Sequence, residues 1–242
     1  EKFGADTFRF WSASEVNHGN DFRCSEQKIE STKKFLTKLW NVSRFLSSFP
    51  IIESENLTDT DRWILDELDK LILICAEGYD AYNFFQSAIA IREFTWNIFA
   101  AHYIEMAKAR AYGIGFSDEE RDAAIYTLHK VLKTVLKLLA PITPFITDFL
   151  WEALYSDKSI HKEKFPEHII KRSYDADEKP AQIMRRLNAE LMITPKIIEF
   201  NSKVWNEKRE KGLHLPDSIK VEVPKELEIF KKDLVAMHHL EI

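Results

Sequence analysis

Apolar residues recur three and four positions apart over most of this chain, and that spacing limits the possible folds to packed helices. One stripe runs from Ile29 to Leu46 and another from Trp63 to Ile72, which is the period of an amphipathic α-helix. Only 6 glycines and 8 prolines occur among 242 residues, which favours long helices over many short strands and turns. We therefore predict a mainly α fold.

Capping signals indicate where several of these helices begin. Thr58 with Asp61, and Ser117 with Glu120, have the spacing of a capping box, in which each side chain satisfies a backbone N–H group of the other residue. A long helix is predicted over residues 84–112 because glycines follow it directly. Four or five helices with short connections predict an antiparallel helical bundle.

The C-terminal part of the chain has a different pattern. Pro180 is predicted to begin one helix, and Thr194 followed by Pro195 is predicted to cap and begin a second helix that ends at Gly212. Short apolar segments that follow predict strands. These predicted strands are Leu213–Leu215, Ile219–Val223 and Leu240–Ile242.

These patterns divide the chain into three parts. Residues 1–24 are expected to connect the chain to another domain, residues 25–173 to form the antiparallel bundle, and residues 174–242 to form a small α+β appendage. The first residue is Glu1 and not Met, within an apparent helix, so we expect a piece of a longer protein.

Composition argues against several classes of protein. No segment approaches the roughly 20 apolar residues of a membrane span, and we expect no signal peptide. Cys24 and Cys75 are far apart, which argues against a disulfide framework or a zinc site and fits a reducing cytoplasm. Glycine-rich phosphate loops, GxSxG and HExxH are absent, so we predict no catalytic residue, metal site or cofactor in this chain.

The net charge of −5 argues against a nucleic-acid partner, but the charges are unevenly distributed. Only Arg62 and Lys70 oppose the carboxylates of residues 53–80, whereas basic residues outnumber acidic ones in residues 25–48 and 171–211. Two interpretations remain open. The basic residues either cover ordinary solvated helix surfaces or gather on one face that binds RNA.

Aromatic, amide and guanidinium groups lie together on one predicted helix. RNA recognition stacks bases on aromatic or Arg planes and reads their edges by hydrogen bonds, and Trp40 lies one turn before Arg44. The same spacing is typical of a core, which we favour for Trp40, Phe45 and Trp96. Arg44, Lys108 and Arg110 are expected to be exposed, in contact with phosphate or with water. The candidate tRNA-binding residues are Trp40, Asn41, Arg44, Arg92, Trp96, Lys108 and Arg110.

Four segments resemble the class I aminoacyl-tRNA synthetases for valine, isoleucine and leucine, in the order found in that family. They are residues 2–14 (KFGADTFRFWSAS), 38–45 (KLWNVSRF), 61–65 (DRWIL) and 139–151 (LAPITPFITDFLW). Within this family, three segments, one of them part of residues 2–14, resemble the archaeal type of valyl-tRNA synthetase. These are residues 10–14 (FWSAS), 18–25 (HGNDFRCS) and 199–205 (EFNSKVW).

The resemblance implies an anticodon-binding helical bundle with a C-terminal appendage. It implies that the full-length, monomeric and cytoplasmic enzyme attaches valine to tRNA-Val using ATP and Mg²⁺. The HIGH and KMSKS motifs of the family do not occur here, so the chain is expected to be non-catalytic and to act with catalytic and editing domains of the same polypeptide. The same region of an isoleucyl or leucyl enzyme, and a helical protein-interaction module, remain as alternatives.

Overall fold

The structure is a computed structural model that describes residues 2–16, 19, 23–167 and 180–241, and it is mainly helical. Short 3₁₀ turns cover Ile160–Lys162 and Lys225–Phe230. The α-helices are α1 Ala5–Glu15, α2 Glu26–Leu46, α3 Asp59–Asp80, α4 Phe84–Glu93, α5 Ile104–Ala111, α6 Asp118–Leu139, α7 Pro144–Leu154, α8 Pro180–Glu210 and α9 Lys231–His238.

Helices α4 and α5 are two ends of one continuous helix, because a π-helical stretch, Phe94–Tyr103, joins them. This confirms the long helix predicted over residues 84–112. The helix ends where Gly113 adopts a φ of 69°, a left-handed conformation that glycine reaches without steric cost. The amide of Ile114 then donates to the carbonyl of Ala109 at 2.9 Å and satisfies part of the helix end.

Both predicted capping boxes are confirmed. The hydroxyl of Thr58 accepts from the amide of Asp61, whose carboxylate accepts from the amide of Thr58. Ser117 and Glu120 form the same pair of bonds at the start of α6. Each box pairs N–H groups that a helix start otherwise leaves unpaired, so these sequence signals fix two helix boundaries.

Helical hairpins build the bundle. The consecutive pairs α1–α2, α3–α4 and α5–α6 pack together as helical hairpins. Non-consecutive contacts join these pairs, because α3 packs against α6, α5 against α9 and α1 against α4. The buried side chains form one continuous core, to which α2 contributes Leu39 and α3 contributes Ile64. Helix α1 is attached through Asp6, whose carboxylate accepts from the amide of Ile146 at 2.6 Å at the start of α7.

The prediction of a second helix that begins at Thr194 is wrong. Helix α8 continues through Pro195, which lies inside it. Instead of capping a helix, the hydroxyl of Thr194 accepts a hydrogen bond from the indole Nε1 of Trp63 at 2.8 Å. A tertiary contact with α3 therefore uses the group that the sequence assigned to a local cap.

The prediction of an α+β appendage is also wrong, because the described C-terminal residues contain no strand. Ile219 and Leu240 form one isolated parallel bridge, and no neighbouring residues extend it. Lys208 donates to the carbonyl of Leu215 and the carboxylate of Asp217 accepts from the amide of His214, so this segment forms a turn. Isolated apolar alternation without a partner strand does not produce a sheet.

A buried polar network attaches the C-terminal helices to the bundle. The side-chain amide of Asn201 bonds His102 Nδ1 at 3.0 Å and His238 Nε2 at 2.8 Å. Burial lowers the pKa of His238 to about 4, with smaller contributions from the charges of Lys208 and the other histidines, and burial also lowers the pKa of His102. The proposed domain boundary at residues 173 and 174 lies outside the described residues and stays a prediction.

Candidate nucleic-acid interface

One exposed stripe of α2 brings three of the predicted RNA-binding residues together. Trp40, Asn41 and Arg44 are all exposed, and Lys33 and Thr37 continue the stripe towards the start of the helix. Steps of three and four residues place them on one face. From Lys33 to Arg44 the stripe extends for about 16 Å at 1.5 Å per residue, which is long enough to contact several nucleotides.

The two cations of this stripe are available to an anionic partner. Neither Lys33 nor Arg44 forms an ion pair with a carboxylate among the described residues, and both side chains are exposed. Exposed, unpaired cations on one helix face suit phosphate groups, because each contact releases a condensed counterion from the nucleic acid.

Trp40 is exposed, and the core position favoured from its spacing is wrong. Trp40 is 43% exposed to solvent. Its ring stacks on Phe149 of α7, with the ring centroids 5.5 Å apart and an angle of 22° between the ring planes. Phe149 is itself exposed. A stacked pair of exposed rings on a basic helix face is a platform on which an unpaired base can continue the stack.

A second aromatic cluster lies where α2 and α5 end. The ring of Phe49 lies 5.2 Å from both Phe45 and Tyr112, and Lys108 places its ammonium 5.9 Å from the centroid of Phe45. Phe45 is half-buried against the core, as predicted, while Tyr112 is 53% exposed. Exposed Lys108 and Tyr112 thus extend the surface that Arg44 begins.

The prediction that Arg110 is an exposed cation is wrong, because Arg110 is 0% exposed to solvent. Its guanidinium donates to both carboxylate oxygens of Asp61 at 2.9 Å and to Asp233 of α9 at 2.8 Å. Tyr103 also donates to Asp61 at 2.6 Å. Arg110 therefore joins α5, α3 and α9, and its guanidinium is inaccessible to RNA in this conformation.

The electrostatics of this buried cluster follow from its contacts. Burial acts to lower the pKa of Arg110, but the hydrogen bonds and charge of Asp61, together with Asp233, raise it above its ordinary value. Burial raises the pKa of Asp233, and the charge of Arg110 opposes that shift. The one guanidinium thus binds two buried carboxylates from different helices, so Arg110 has a structural role.

Arg92 and Trp96 do not join the Lys108 cluster. Both are half-buried, and Trp96 packs against the core from the π-helical stretch, as its spacing predicted. Trp96 lies in the π-helical stretch Phe94–Tyr103, whereas Lys108 lies in α5. The four candidates on the long helix are therefore divided: Arg92 and Trp96 are half-buried, Lys108 is exposed and Arg110 belongs to the buried network. A role for Arg92 or Trp96 in RNA binding stays a prediction.

Sequence reasoning missed three residues of this surface. Lys33 and Thr37 could have been found by continuing the helical spacing backwards from Trp40. Phe149 could not, because only the tertiary packing of α7 on the outer side of α2 brings its ring to Trp40.

Other functional classes receive no support from the described residues. Among them, no group of three or more His, Cys, Asp or Glu side chains is placed to hold a metal ion. None of the helices described is both long enough and apolar enough to span a membrane. The described residues form a helical bundle with exposed cations and aromatic rings on α2 and α5, a combination typical of nucleic-acid-binding proteins.

A family model confirms this class. The model described as the anticodon-binding domain of tRNA ligase matches residues 61–204. The chain therefore belongs to that family of anticodon-binding domains, as its four sequence segments suggested.

Individual relatives are similar to the chain over its whole length. It is 37% identical to the valine–tRNA ligase of Nanoarchaeum equitans over 242 residues and 36% identical to that of Aeropyrum pernix over 249 residues. In both cases the match covers 100% of this chain but only 29% of the relative. The chain thus spans less than a third of the length of these curated relatives.

A solved structure supports the fold. The ternary complex of Agrobacterium radiobacter K84 agnB2 LeuRS, tRNA and LeuAMS matches with a TM-score of 0.54 and 20% sequence identity. The match covers 69% of this chain and 20% of that chain. The helical architecture of the chain is therefore similar to a part of that synthetase.

Proposed function

We propose that the chain is the anticodon-binding region of a valine–tRNA ligase and that it binds tRNA-Val without catalysing aminoacylation itself. The alignment of its whole length with valine–tRNA ligases at 36 to 37% identity carries this proposal. The exposed basic stripe of α2 and the neighbouring aromatic cluster support it, because they supply the groups that an unpaired RNA loop requires.

The stripe of α2 suggests how the loop is held. A base stacks on Trp40, whose ring is supported by Phe149, and the amide of Asn41 hydrogen-bonds to a base edge. Arg44 and Lys33 contact phosphates. In this proposal the phosphate contacts supply affinity, and the base contacts supply sequence discrimination.

The Tyr112 cluster extends this interface around the end of the bundle. Tyr112 offers a second exposed ring that rests on Phe45 and Phe49, and Lys108 adds a cation beside it. Two aromatic platforms separated by cations can hold successive unstacked bases.

The chemistry of the ligase is proposed to occur outside this chain. Aminoacylation requires ATP and Mg²⁺, and the sequence has neither a glycine-rich phosphate loop nor the HIGH and KMSKS motifs, so we expect other parts of the ligase to bind them. The catalytic and editing domains would then be other parts of the same polypeptide, since the chain corresponds to 29% of its relatives. The two free cysteines fit a cytoplasmic location, and the monomeric state stays a prediction.

A salt titration of tRNA-Val binding tests the proposal. Lys33, Arg44 and Lys108 offer three phosphate contacts, so the logarithm of affinity should fall with the logarithm of salt concentration with a slope of about −2. tRNA-Val should compete better than the isoleucine and leucine tRNAs. A slope near zero would instead support a protein-interaction module, and stronger competition by another tRNA would identify a different ligase.

A further inference from the structure

A cleft of about 490 Å³ lies where α8 ends, between the last turns of the helix and the chain that follows Gly212. These residues come after residues 61–204, the part of the chain that the anticodon-binding family model matches. The cleft, which we call the α8 cleft, shares no residue with the α2 stripe. Its lining combines rings, an amide and cations, and includes Trp205, Asn206, Lys208, Arg209, His214 and Leu215.

Lys208 is a buried cation in the lining of this cleft. It is 2% exposed, and its Nζ donates to the carbonyl of Leu215 at 2.6 Å. An ammonium group has three N–H donors, and this is its one hydrogen bond among the residues that the structure describes. A buried charge is costly unless opposite charges or further acceptors compensate it. Two donors of Lys208 are therefore available for an acceptor that enters the cleft.

Arg209 supplies a second cation to the same cleft. Its side chain is exposed, and Nη2 donates to the side-chain oxygen of Asn206 at 3.0 Å. Within the described part of the chain, Arg209 forms no ion pair with a carboxylate. Because a guanidinium has five N–H donors in a planar fork, Arg209 can still bind a phosphate through two hydrogen bonds.

The charges around the α8 cleft favour an anion. Its described lining contains no carboxylate. The carboxylate of Asp217, which is half-buried nearby, accepts from the amide of His214 at 2.6 Å. Burial lowers the pKa of Lys208, and the charge of Asp217 opposes that shift. The side chains that face the cleft thus offer hydrogen-bond donors to an anionic group and no competing negative charge.

A simpler role for cations at this position is to compensate the dipole of α8, whose C-terminal end carries a partial negative charge. Lys211 fits that role, because it lies in the same turn, is exposed and pairs with Glu207 at 2.8 Å. Lys211 does not line the cleft. The chain therefore offers an internal control for the effect of a charge alone.

An apolar wall completes the cleft. The half-buried ring of Trp205 stacks on His102, with the ring centroids 5.5 Å apart and an angle of 24° between the ring planes. Its other neighbour, His238, meets it at 5.8 Å and 65°, so two buried histidines fix the position of the indole. Leu215 is 67% exposed beside it. A ring next to cations is the combination with which proteins hold single nucleotides of RNA.

We infer that the α8 cleft binds a phosphate group of the tRNA backbone outside the anticodon loop. Lys208 and Arg209 contact the phosphate oxygens, and the adjoining sugar packs against Trp205. This inference rests on the proposed function, because it requires tRNA as the ligand. A phosphate contact adds affinity without reading sequence, and a second contact on the same RNA strengthens the first through effective concentration.

Salt titrations of tRNA-Val binding to the full-length ligase test this inference. Arg209→Gln and Lys211→Gln each remove one positive charge from the end of α8. Arg209→Gln should reduce the salt slope by about 0.7–0.9 and weaken binding roughly three- to tenfold at about 0.1 M salt. Lys211→Gln should leave the slope unchanged, and Arg209→Lys, which keeps the charge, should retain it. Equal slopes in the two Gln variants would overturn the inference.

Stability measurements separate the loss of a contact from a loss of folding. Both side chains are exposed and neither contributes to the core, so neither Gln variant should lower Tm. A decrease in the Tm of Arg209→Gln that accounts for its weaker binding would assign Arg209 a structural role and would overturn the inference.

An isolated anticodon stem-loop distinguishes the α8 cleft from the α2 stripe. Its affinity for the ligase should fall in Arg44→Ala and stay unchanged in Arg209→Gln, because the fragment lacks the phosphates that reach the cleft. Weakening of stem-loop binding by Arg209→Gln would place the cleft within the anticodon contact and overturn the inference. Displacement of tRNA by inorganic phosphate at constant ionic strength would indicate a site for free phosphate, with the same consequence.

The two proposals fail in different ways. If Arg44→Ala reduces the salt slope while Arg209→Gln behaves as Lys211→Gln does, the α8 cleft makes no phosphate contact and the proposed function stands. If the unmodified ligase binds tRNA-Val without salt dependence, both proposals are wrong.

Discussion

Replacing Arg110 by Ala separates structural from RNA-binding cations in this chain. The change removes the three hydrogen bonds that Arg110 donates to Asp61 and Asp233. It leaves two carboxylates buried without a counter-charge. Breaking a buried ion pair from one side costs about 3–5 kcal/mol. For a domain of this size each kcal/mol lowers Tm by roughly 2–4 °C, so we expect a loss of about 10 °C.

Urea unfolding followed by circular dichroism measures the loss in free energy of unfolding, and a thermal scan measures the loss in Tm. Lys108→Ala is the matched control. Lys108 lies half a turn before Arg110 on α5, but it is exposed and has a single long ion pair with Glu105 at 3.4 Å. Its removal should change the free energy of unfolding by less than about 0.5 kcal/mol while weakening tRNA binding.

Acidification should reduce the difference in free energy of unfolding between Arg110→Ala and the wild-type protein. Without the guanidinium, burial raises the pKa of Asp233 further. A carboxyl group with a raised folded-state pKa binds more protons when folded, so the variant regains stability as pH falls through that pKa. A loss below 1 kcal/mol at neutral pH, combined with tRNA binding weakened as in Lys108→Ala, would refute the buried-network interpretation.

Three further predictions concern the α2 stripe and the histidine network. Arg44→Ala should reduce the salt slope of tRNA binding by about 0.7 without lowering Tm, and an unchanged slope would exclude a phosphate contact. Trp40→Ala should weaken tRNA binding by about 1–3 kcal/mol, measured by fluorescence anisotropy; full affinity would exclude base stacking. Because the folded-state pKa of His238 is lowered to about 4, stability should fall by about 1.4 kcal/mol per pH unit between pH 6 and pH 4, a trend that His238→Gln should reduce in pH-dependent urea unfolding.

The local signals in the sequence predicted the bundle well. Helical spacing and the capping boxes at Thr58 and Ser117 fixed elements whose stability depends on nearby residues, and the structure confirms them. The same local reasoning was wrong at Thr194 and for the C-terminal strands. There the outcome depends on distant contacts, such as the bond from Trp63 to Thr194, which no local pattern encodes.

The candidate site shows the same division. Arg44 and Lys108 are exposed, as expected of these cations. Arg110 is buried and Trp40 is exposed, the reverse of what their positions in the sequence suggested. Composition does not distinguish these two outcomes. Arg110 is buried because Asp61 and Asp233 meet it from two other helices, whereas Trp40 stays exposed and stacks on Phe149 of α7.

The most direct test of sequence-specific tRNA binding compares tRNA-Val with a variant whose central anticodon base is replaced. Affinities are measured at one fixed salt concentration, so that the phosphate contribution is the same for both RNAs. We predict at least about tenfold weaker binding of the variant, since a lost base contact costs about 1–3 kcal/mol. Equal affinities would contradict recognition of the anticodon by this chain.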